Sequence, residues 1–355
     1  MVSAMAYAVG NVASSVALVL VNKQVFNGGF HFPMSLSFFH FVFTWLWYQM
    51  LYAAGVYSNP EPGMSQVEKF KVALFGFASI GFMNLSLNYN SVGFYQVTKL
   101  TIVPVTLVIN SVAYAVYTTT KVKLSLAILL AGVAIATVTD VELRPTGLIF
   151  GVLAVLSTAV FQIWQGTKQK EFGISATQLQ AGIAPWQSIQ AAAVSIATEC
   201  YCYEPSPSGA PCDTAVRFFE LAFAGDHVKQ HTLWIVLGTC ILALAVNLCS
   251  FGLIGRTSPI TFQVVGHAKT CLVLTGGYVF FSSGAGDTQQ IINNIAGVSV
   301  AMIGVLLYGH IQQASSGGYS DCLDAVCPGC ILYVIEPKYA SEESAEELKG
   351  LKGPA

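Results

Sequence analysis

Two lysines lie inside apolar stretches where charged side chains are otherwise rare. Lys269 stands ten or more residues from either end of a predicted helix, and Lys99 lies about a third of the way along another. An ammonium group inside a membrane costs about 2.5 to 3.5 kcal/mol on insertion scales, so each lysine requires a reason. Two lysines facing one cavity would bind an anion, and phosphate is the common anion that rewards two positive charges. The alternative is a pair of structural lysines bound to backbone carbonyls at helix C-termini.

Polar residues within one helical turn of the two lysines fit a cavity better than a lipid-facing surface. The candidates are Tyr95 and Gln96 before Lys99, and Gln263, Gly266, His267 and Thr270 around Lys269. A missing side chain at Gly266 would let a ligand approach the backbone. His267 is either a proton-coupling group or a neutral histidine in a helix interface. Asn247 could contact a sugar or a base, or join two helices. Lys23, near the end of the first predicted helix, either binds the ligand or reaches the membrane interface.

The composition places these residues in a membrane. Of the 355 residues, 54% are hydrophobic and only 10% are charged, against about 45 to 50% and 25% in soluble domains. Several runs without any charge, such as residues 24–60 and 288–320, are long enough for helices that need about 20 apolar residues to cross the bilayer. The few charges form no basic face, which excludes nucleic acid as a partner. No cofactor or metal is expected.

Turn signals divide the apolar runs into ten predicted transmembrane helices, which make the fold class an all-α membrane protein. They span about residues 4–27, 32–56, 68–88, 92–117, 122–140, 145–166, 177–199, 232–255, 259–283 and 289–312. Seven Lys and Arg residues fall in one set of alternate loops and three in the other. This bias predicts that both termini are cytosolic.

The chain repeats itself at a nearly constant distance. Residues 91–97 (SVGFYQV) resemble residues 258–264 (SPITFQV), and residues 130–133 (LAGV) resemble residues 295–298 (IAGV). Such short matches can also arise by accident among apolar helices. A true duplication predicts two five-helix repeats, at residues 1–140 and 141–313, followed by a mostly disordered cytosolic tail at 314–355. Because five is odd, the repeats must be inverted, which is an architecture of secondary transporters.

Four blocks resemble the nucleotide-sugar transporter and triose-phosphate translocator family of the drug/metabolite transporter superfamily, especially its plant Golgi members for UDP-xylose and for UDP-rhamnose and UDP-galactose. They are residues 22–24 (NKQ), 90–100 (NSVGFYQVTKL), 132–140 (GVAIATVTD) and 255–270 (GRTSPITFQVVGHAKT). The resemblance implies an antiporter that imports a UDP-sugar into the Golgi lumen in exchange for UMP. Family members that carry triose phosphates have a Lys-Arg pair where this chain has Lys269-Thr270, and the absent bidentate clamp favours a nucleotide substrate.

Other functions compete with this interpretation. An organellar antiporter of phosphate and phosphorylated sugars, of the triose-phosphate translocator type, would reside in a plastid envelope, and the endoplasmic reticulum is another alternative to the Golgi membrane. A membrane-embedded enzyme acting on lipid phosphates would need acidic metal ligands, whereas Asp140, Glu142 and Asp287 are isolated in predicted loops. The expected partners are a nucleotide sugar, a nucleoside monophosphate and the lipid bilayer. A homodimer is an assembly that the sequence permits.

Overall fold

The computed structural model describes residues 3–59, 63–89, 92–137, 145–201, 213–281, 288–317 and 322–323, and within them the chain is helical without strands. Eleven helices follow one another: α1 (Ala4–Asn27), α2 (Pro33–Ala53), α3 (Gln66–Tyr89), α4 (Val92–Ala113), α5 (Thr120–Thr137), α6 (Pro145–Glu171), α7 (Ala176–Glu199), α8 (Ala215–Phe223), α9 (His227–Arg256), α10 (Pro259–Phe281) and α11 (Thr288–Gly317). Four stretches within α1, α6, α9 and α11 are long and apolar enough to cross a membrane.

Each predicted helix overlaps an observed one, but several ends differ for local reasons. Helix α9 begins five residues earlier than predicted because the Asp226 side chain accepts hydrogen bonds from the backbone of Val228 and Lys229. Helix α6 continues to Glu171, where an ion pair with Lys168 spans one turn. The last helix runs to Gly317, past the predicted start of the tail at 314. Apart from residues 314–317 and 322–323, that tail lies outside the described residues.

Helix α8 was not predicted. It has nine residues, and Thr214 caps its first turn. Its apolar side buries Phe218 against Phe30, with the ring centroids 5.0 Å apart. This contact belongs to an aromatic cluster of Phe30, Phe32, Phe218 and Phe219, near the end of α1 and the start of α9. A short amphipathic helix therefore covers one end of the bundle rather than crossing it.

The longest helix interfaces join α1 to α9, α3 to α6, α2 to α7 and α5 to α11. Helices α5 and α11 touch backbone to backbone. A Cβ on Gly132 would collide with the backbone of Ala301, and a Cβ on Gly297 would collide with the backbone of Ala136. Such close approach through small residues is the usual way for helices to pack in lipid.

Basic residues near the ends of four helices gather at one end of the bundle, here called the lysine-rich face (Lys69, Lys71, Lys121, Lys123, Lys168, Lys170 and Arg256). Lys168 Nζ lies 2.9 Å from Glu68 of α3 and from Glu171 of α6, so the start of α3 meets the end of α6. At the opposite end, Glu199 at the end of α7 accepts hydrogen bonds from the backbone of Met34 and Ser35, at 2.8 and 2.7 Å, and anchors the start of α2. The negative charge of Glu199 at the start of α2 also complements the dipole of α2.

Candidate substrate-binding site

Helices α4 and α10 position the two predicted lysines. Lys269 is the eleventh of 23 residues in α10, and Lys99 is the eighth residue of α4. Both side chains are half-buried. Lys99 is close enough to interact electrostatically with Lys269 and with His267, and it also interacts with further groups of the protein. The structure thus brings together the two positive charges that the sequence placed on separate helices.

His267 is buried beside these charges. No described residue forms a hydrogen bond with its Nε2 atom. A buried polar atom without a partner is costly, at about 1 to 3 kcal/mol, and such atoms are rare in native proteins. The Nε2 atom of His267 therefore has no hydrogen-bond partner among the described residues and lies within electrostatic range of the Lys99 charge.

Gly266 and Thr270 occupy neighbouring positions on α10. A Cβ on Gly266 would meet none of the described atoms within 4 Å. Thr270 directs its hydroxyl to the Gly266 carbonyl at 3.2 Å. The hydroxyl of Thr270 is therefore occupied within its own helix, and no second cation stands next to Lys269 at position 270.

Gln263 lies three residues before Gly266 in α10, about one helical turn nearer to the lysine-rich face. Its amide donates to the side-chain oxygen of Gln162 in α6, with 2.6 Å between Nε2 and Oε1, and both residues are buried. The sequence analysis selected Gln263 but missed Gln162. The two residues are 101 positions apart in the chain. Their contact depends on how each helix is rotated about its own axis, which the sequence pattern does not give.

The remaining predicted site residues are Asn247, Lys23, Tyr95 and Gln96. Asn247 is half-buried in α9, three residues from Ser250, which accepts a hydrogen bond from Asn11 of α1 at 2.8 Å. The backbones of Lys23, Tyr95 and Gln96 lie in α1 and α4, but their side chains are outside the described part of the structure.

Two further residues share the feature that marks His267. The side-chain oxygen of Asn22 and both amide atoms of Gln190 are buried without a hydrogen-bond partner among the described residues. Asn22 was noted only as part of a family motif, and Gln190 was missed because one more glutamine in an apolar helix carries no sequence signal. The three groups lie on α1, α7 and α10.

Comparison with known proteins places the chain in a transporter family. The sequence profile described as the Triose-phosphate Transporter family matches residues 2–309. UDP-xylose transporter 2 of Arabidopsis thaliana is 37% identical over 301 residues, which cover 84% of this chain and 79% of that protein. UDP-xylose transporter 1 of the same plant is 34% identical over 307 residues, covering 86% and 83%. Its UDP-rhamnose/UDP-galactose transporter 1 is 33% identical over 306 residues, covering 84% and 80%.

Proposed function

The chain belongs to the triose-phosphate transporter family, and on this premise we propose that it is an antiporter that exchanges a UDP-sugar for UMP across the Golgi membrane. The observation that carries the proposal is that Lys99 lies within electrostatic range of both Lys269 and His267, whose Nε2 atom has no hydrogen-bond partner among the described residues. A diphosphate offers two negative charges for the lysines and acceptor or donor groups for this nitrogen.

The relatives support a nucleotide sugar over a small phosphorylated sugar. Those compared above are named for UDP-xylose and for UDP-rhamnose and UDP-galactose. Position 270 agrees with them, because the hydroxyl of Thr270 is bound to the backbone and cannot replace the cation of a Lys-Arg clamp.

Spacing along the chain supports two inverted repeats, residues 1–140 and 141–313. Successive helices of the second half start 141, 143, 161, 167 and 168 residues after their counterparts, when α1–α5 are paired with α6, α7, α9, α10 and α11. The largest rise in this offset, from 143 to 161 residues, falls between the second and third helices, where the second half contains the additional helix α8. The contacts between helices have the same symmetry. Helix α1 packs against α9, and their counterparts in the other half, α6 and α3, also pack against each other.

Two local details repeat as well. Gly29 and Gly173 both have positive φ values, of 86° and 61°, and each lies in the loop after the first helix of its half. The next residues, Phe30 and Ile174, each donate a backbone hydrogen bond five residues back. These helix ends are 144 residues apart. In α5 and α11, the pairs Gly132/Ala301 and Gly297/Ala136 exchange places under a shift of 165 residues.

The proposed mechanism follows from the charges. Lys99 and Lys269 clamp the phosphates from opposite halves, and the halves rock around them. Without substrate, closing the cavity would bury two positive charges with no phosphate between them, which is unfavourable at low dielectric. The empty carrier therefore reorients slowly, and exchange is faster than one-way transport. In this scheme the lysine-rich face is cytosolic, in agreement with the positive-inside bias.

The test is uptake by proteoliposomes that contain the purified protein. Vesicles are preloaded with UMP, GMP, CMP or phosphate, and a panel of nucleotide sugars and triose phosphates is supplied outside. Uptake of UDP-sugars that requires internal UMP would support the proposal and identify the sugar. Uptake of triose phosphates into phosphate-loaded vesicles would instead assign the chain to the phosphorylated-sugar antiporters of an organelle envelope.

A further inference from the structure

A cavity of about 360 Å³ lies at the lysine-rich face, where the ends of α4, α6, α9 and α11 meet the starts of α5 and α10. We call it the inner vestibule and define it by Asn110, Tyr117, Thr167, Lys170, Ser258 and Gln312. None of the predicted site residues whose side chains are described lines it. Its volume is comparable to that of a small-molecule binding site.

The lining combines apolar side chains with hydroxyl and amide groups and one lysine. Among the described residues that line the vestibule, Lys170 is the single charged side chain, and no carboxylate is present. One wall is pre-organised by hydrogen bonds. The Thr261 hydroxyl lies 3.1 Å from the Ser258 hydroxyl and 2.8 Å from that of Tyr308, which accepts from Gln312 at 3.2 Å. Such a surface suits an anion that also carries hydroxyl groups.

Tyr117 provides an aromatic surface at the same place. It is 63% exposed and belongs to the linker between α4 and α5. Two residues earlier, Ala115 has a φ of 51°, a conformation that costs an L-residue about 1 to 2 kcal/mol. The rest of the structure therefore holds this linker in a defined shape. An exposed ring beside a lysine is the combination on which a nucleobase stacks while its phosphate is neutralised.

The vestibule leads toward the central lysines. Its floor includes Ile163 and Ile260, which lie next to Gln162 and three residues before Gln263 in their helices. The hydrogen bond between Gln162 and Gln263 thus lies between the vestibule and Lys269. From Gln263 to Lys269 the rise along α10 is about 9 Å.

We propose that the inner vestibule is a loading site that binds the nucleotide before it passes the Gln162–Gln263 hydrogen bond. Lys170 attracts the phosphates, and Tyr117 stacks on the base. The proposal rests on the proposed function, because it assumes a nucleotide substrate, but it adds a binding site on one face of the membrane only. A loading site of this kind affects affinity from the lysine-rich face and leaves affinity from the opposite face unchanged.

The experiment measures exchange in vesicles of known orientation, which is determined by protease access to a C-terminal tag. Nucleotide is supplied at one face or the other, and the variants are Lys170→Gln and Tyr117→Ala. The matched control is Lys123→Gln, which removes an exposed charge from the same face outside the vestibule. Lys170→Arg and Tyr117→Phe keep the charge and the ring, and serve as conservative variants.

Lys170→Gln should raise the apparent KM for UMP at the lysine-rich face about fivefold, which is the size of effect expected when one exposed charge contact is lost. This effect should be smaller in high salt, which screens the charge. Tyr117→Ala should raise it about tenfold for UMP but not for inorganic phosphate, which has no base to stack. Both conservative variants should restore the KM, and the KM at the opposite face should not change.

Equal KM values for Lys170→Gln and Lys123→Gln would overturn the loading site. So would an equal effect at both faces, which would indicate a general change in the carrier. These outcomes presuppose that the unmodified protein exchanges nucleotides. If it exchanges none, the proposed function fails instead, so the two failures are distinguishable.

Discussion

Removal of the Lys269 charge tests the anion-binding site most directly. We expect Lys269→Ala to abolish UDP-sugar exchange while the protein still folds. A phosphate charge about 4 Å from the ammonium contributes about 4 kcal/mol at an effective dielectric constant near 20. The half-buried lysine loses part of this gain to desolvation. A net loss of about 2 to 4 kcal/mol corresponds to an affinity for UMP that is about 30- to 700-fold weaker.

The same substitution should have the opposite effect on the empty protein. Lys99 and Lys269 repel each other when no anion lies between them. Lys269→Ala removes that repulsion, so the unliganded variant should melt at a higher temperature than the unmodified protein. It should also lose the stabilisation that UMP confers, because only binding to the folded state raises the melting temperature.

Thermal unfolding of the purified protein in detergent, with and without UMP, measures both effects. Lys123→Ala is the control, since it removes an exposed lysine from the lysine-rich face. A variant at Lys269 that keeps its UMP-induced stabilisation and its exchange rate would refute the phosphate clamp. A lower melting temperature without ligand would show that Lys269 is a structural lysine, as the sequence analysis allowed.

Three further predictions concern the scaffold, and unfolding of the purified variants checks each of them. Gly132→Ala should destabilise the protein by about 1 to 3 kcal/mol because the new methyl group meets the α11 backbone. The control Gly238→Ala should not, because a methyl group there meets none of the described atoms within 4 Å. Equal stabilities of the two variants would exclude the close packing of α5 and α11. Tyr48→Phe should cost about 1 to 3 kcal/mol, since it leaves the buried side-chain oxygen of Gln180 without its donor at 2.8 Å, and an unchanged melting temperature would mean that water or another donor replaces it. Glu199→Ala should cost about 2 kcal/mol through loss of the charge-assisted bonds to the start of α2, and an equal loss in the exposed control Glu220→Ala would contradict this.

The helices could be predicted because the membrane imposes length and polarity on each of them. Charge-free runs give the helices, and a lysine in the middle of such a run, like Lys269, is visible without a structure. The proposed inverted repeat would also place the helices of Lys99 and Lys269 opposite each other. The sequence therefore contains the main charges of the candidate site.

The features that the sequence did not reveal depend on helix rotation or on weak local signals. Gln162 is one of several glutamines in α6, and only the structure shows that its side chain reaches Gln263. The unpartnered atoms of Gln190 are visible only when every neighbouring donor and acceptor is known. Helix α8 escaped prediction because Arg217 and Glu220 interrupt its apolar pattern, although the aromatic residues between them pack into the end of the bundle.

The described parts of the two ends of the bundle differ in what must be separated to open them. At the end opposite the lysine-rich face, Phe30 packs edge-on against Phe32 and Phe218 at centroid distances of 5.3 and 5.0 Å. Such pairs are worth about 0.5 to 1.5 kcal/mol each beyond the burial of their area. Below the inner vestibule, the Gln162–Gln263 hydrogen bond spans the path, and a hydrogen bond contributes about 0.5 to 1.5 kcal/mol net. At the lysine-rich face, the ion pair of Lys168 with Glu68 also joins α6 to α3. Opening either end therefore requires free energy, which the binding of phosphate between the two lysines would supply in the proposed exchange.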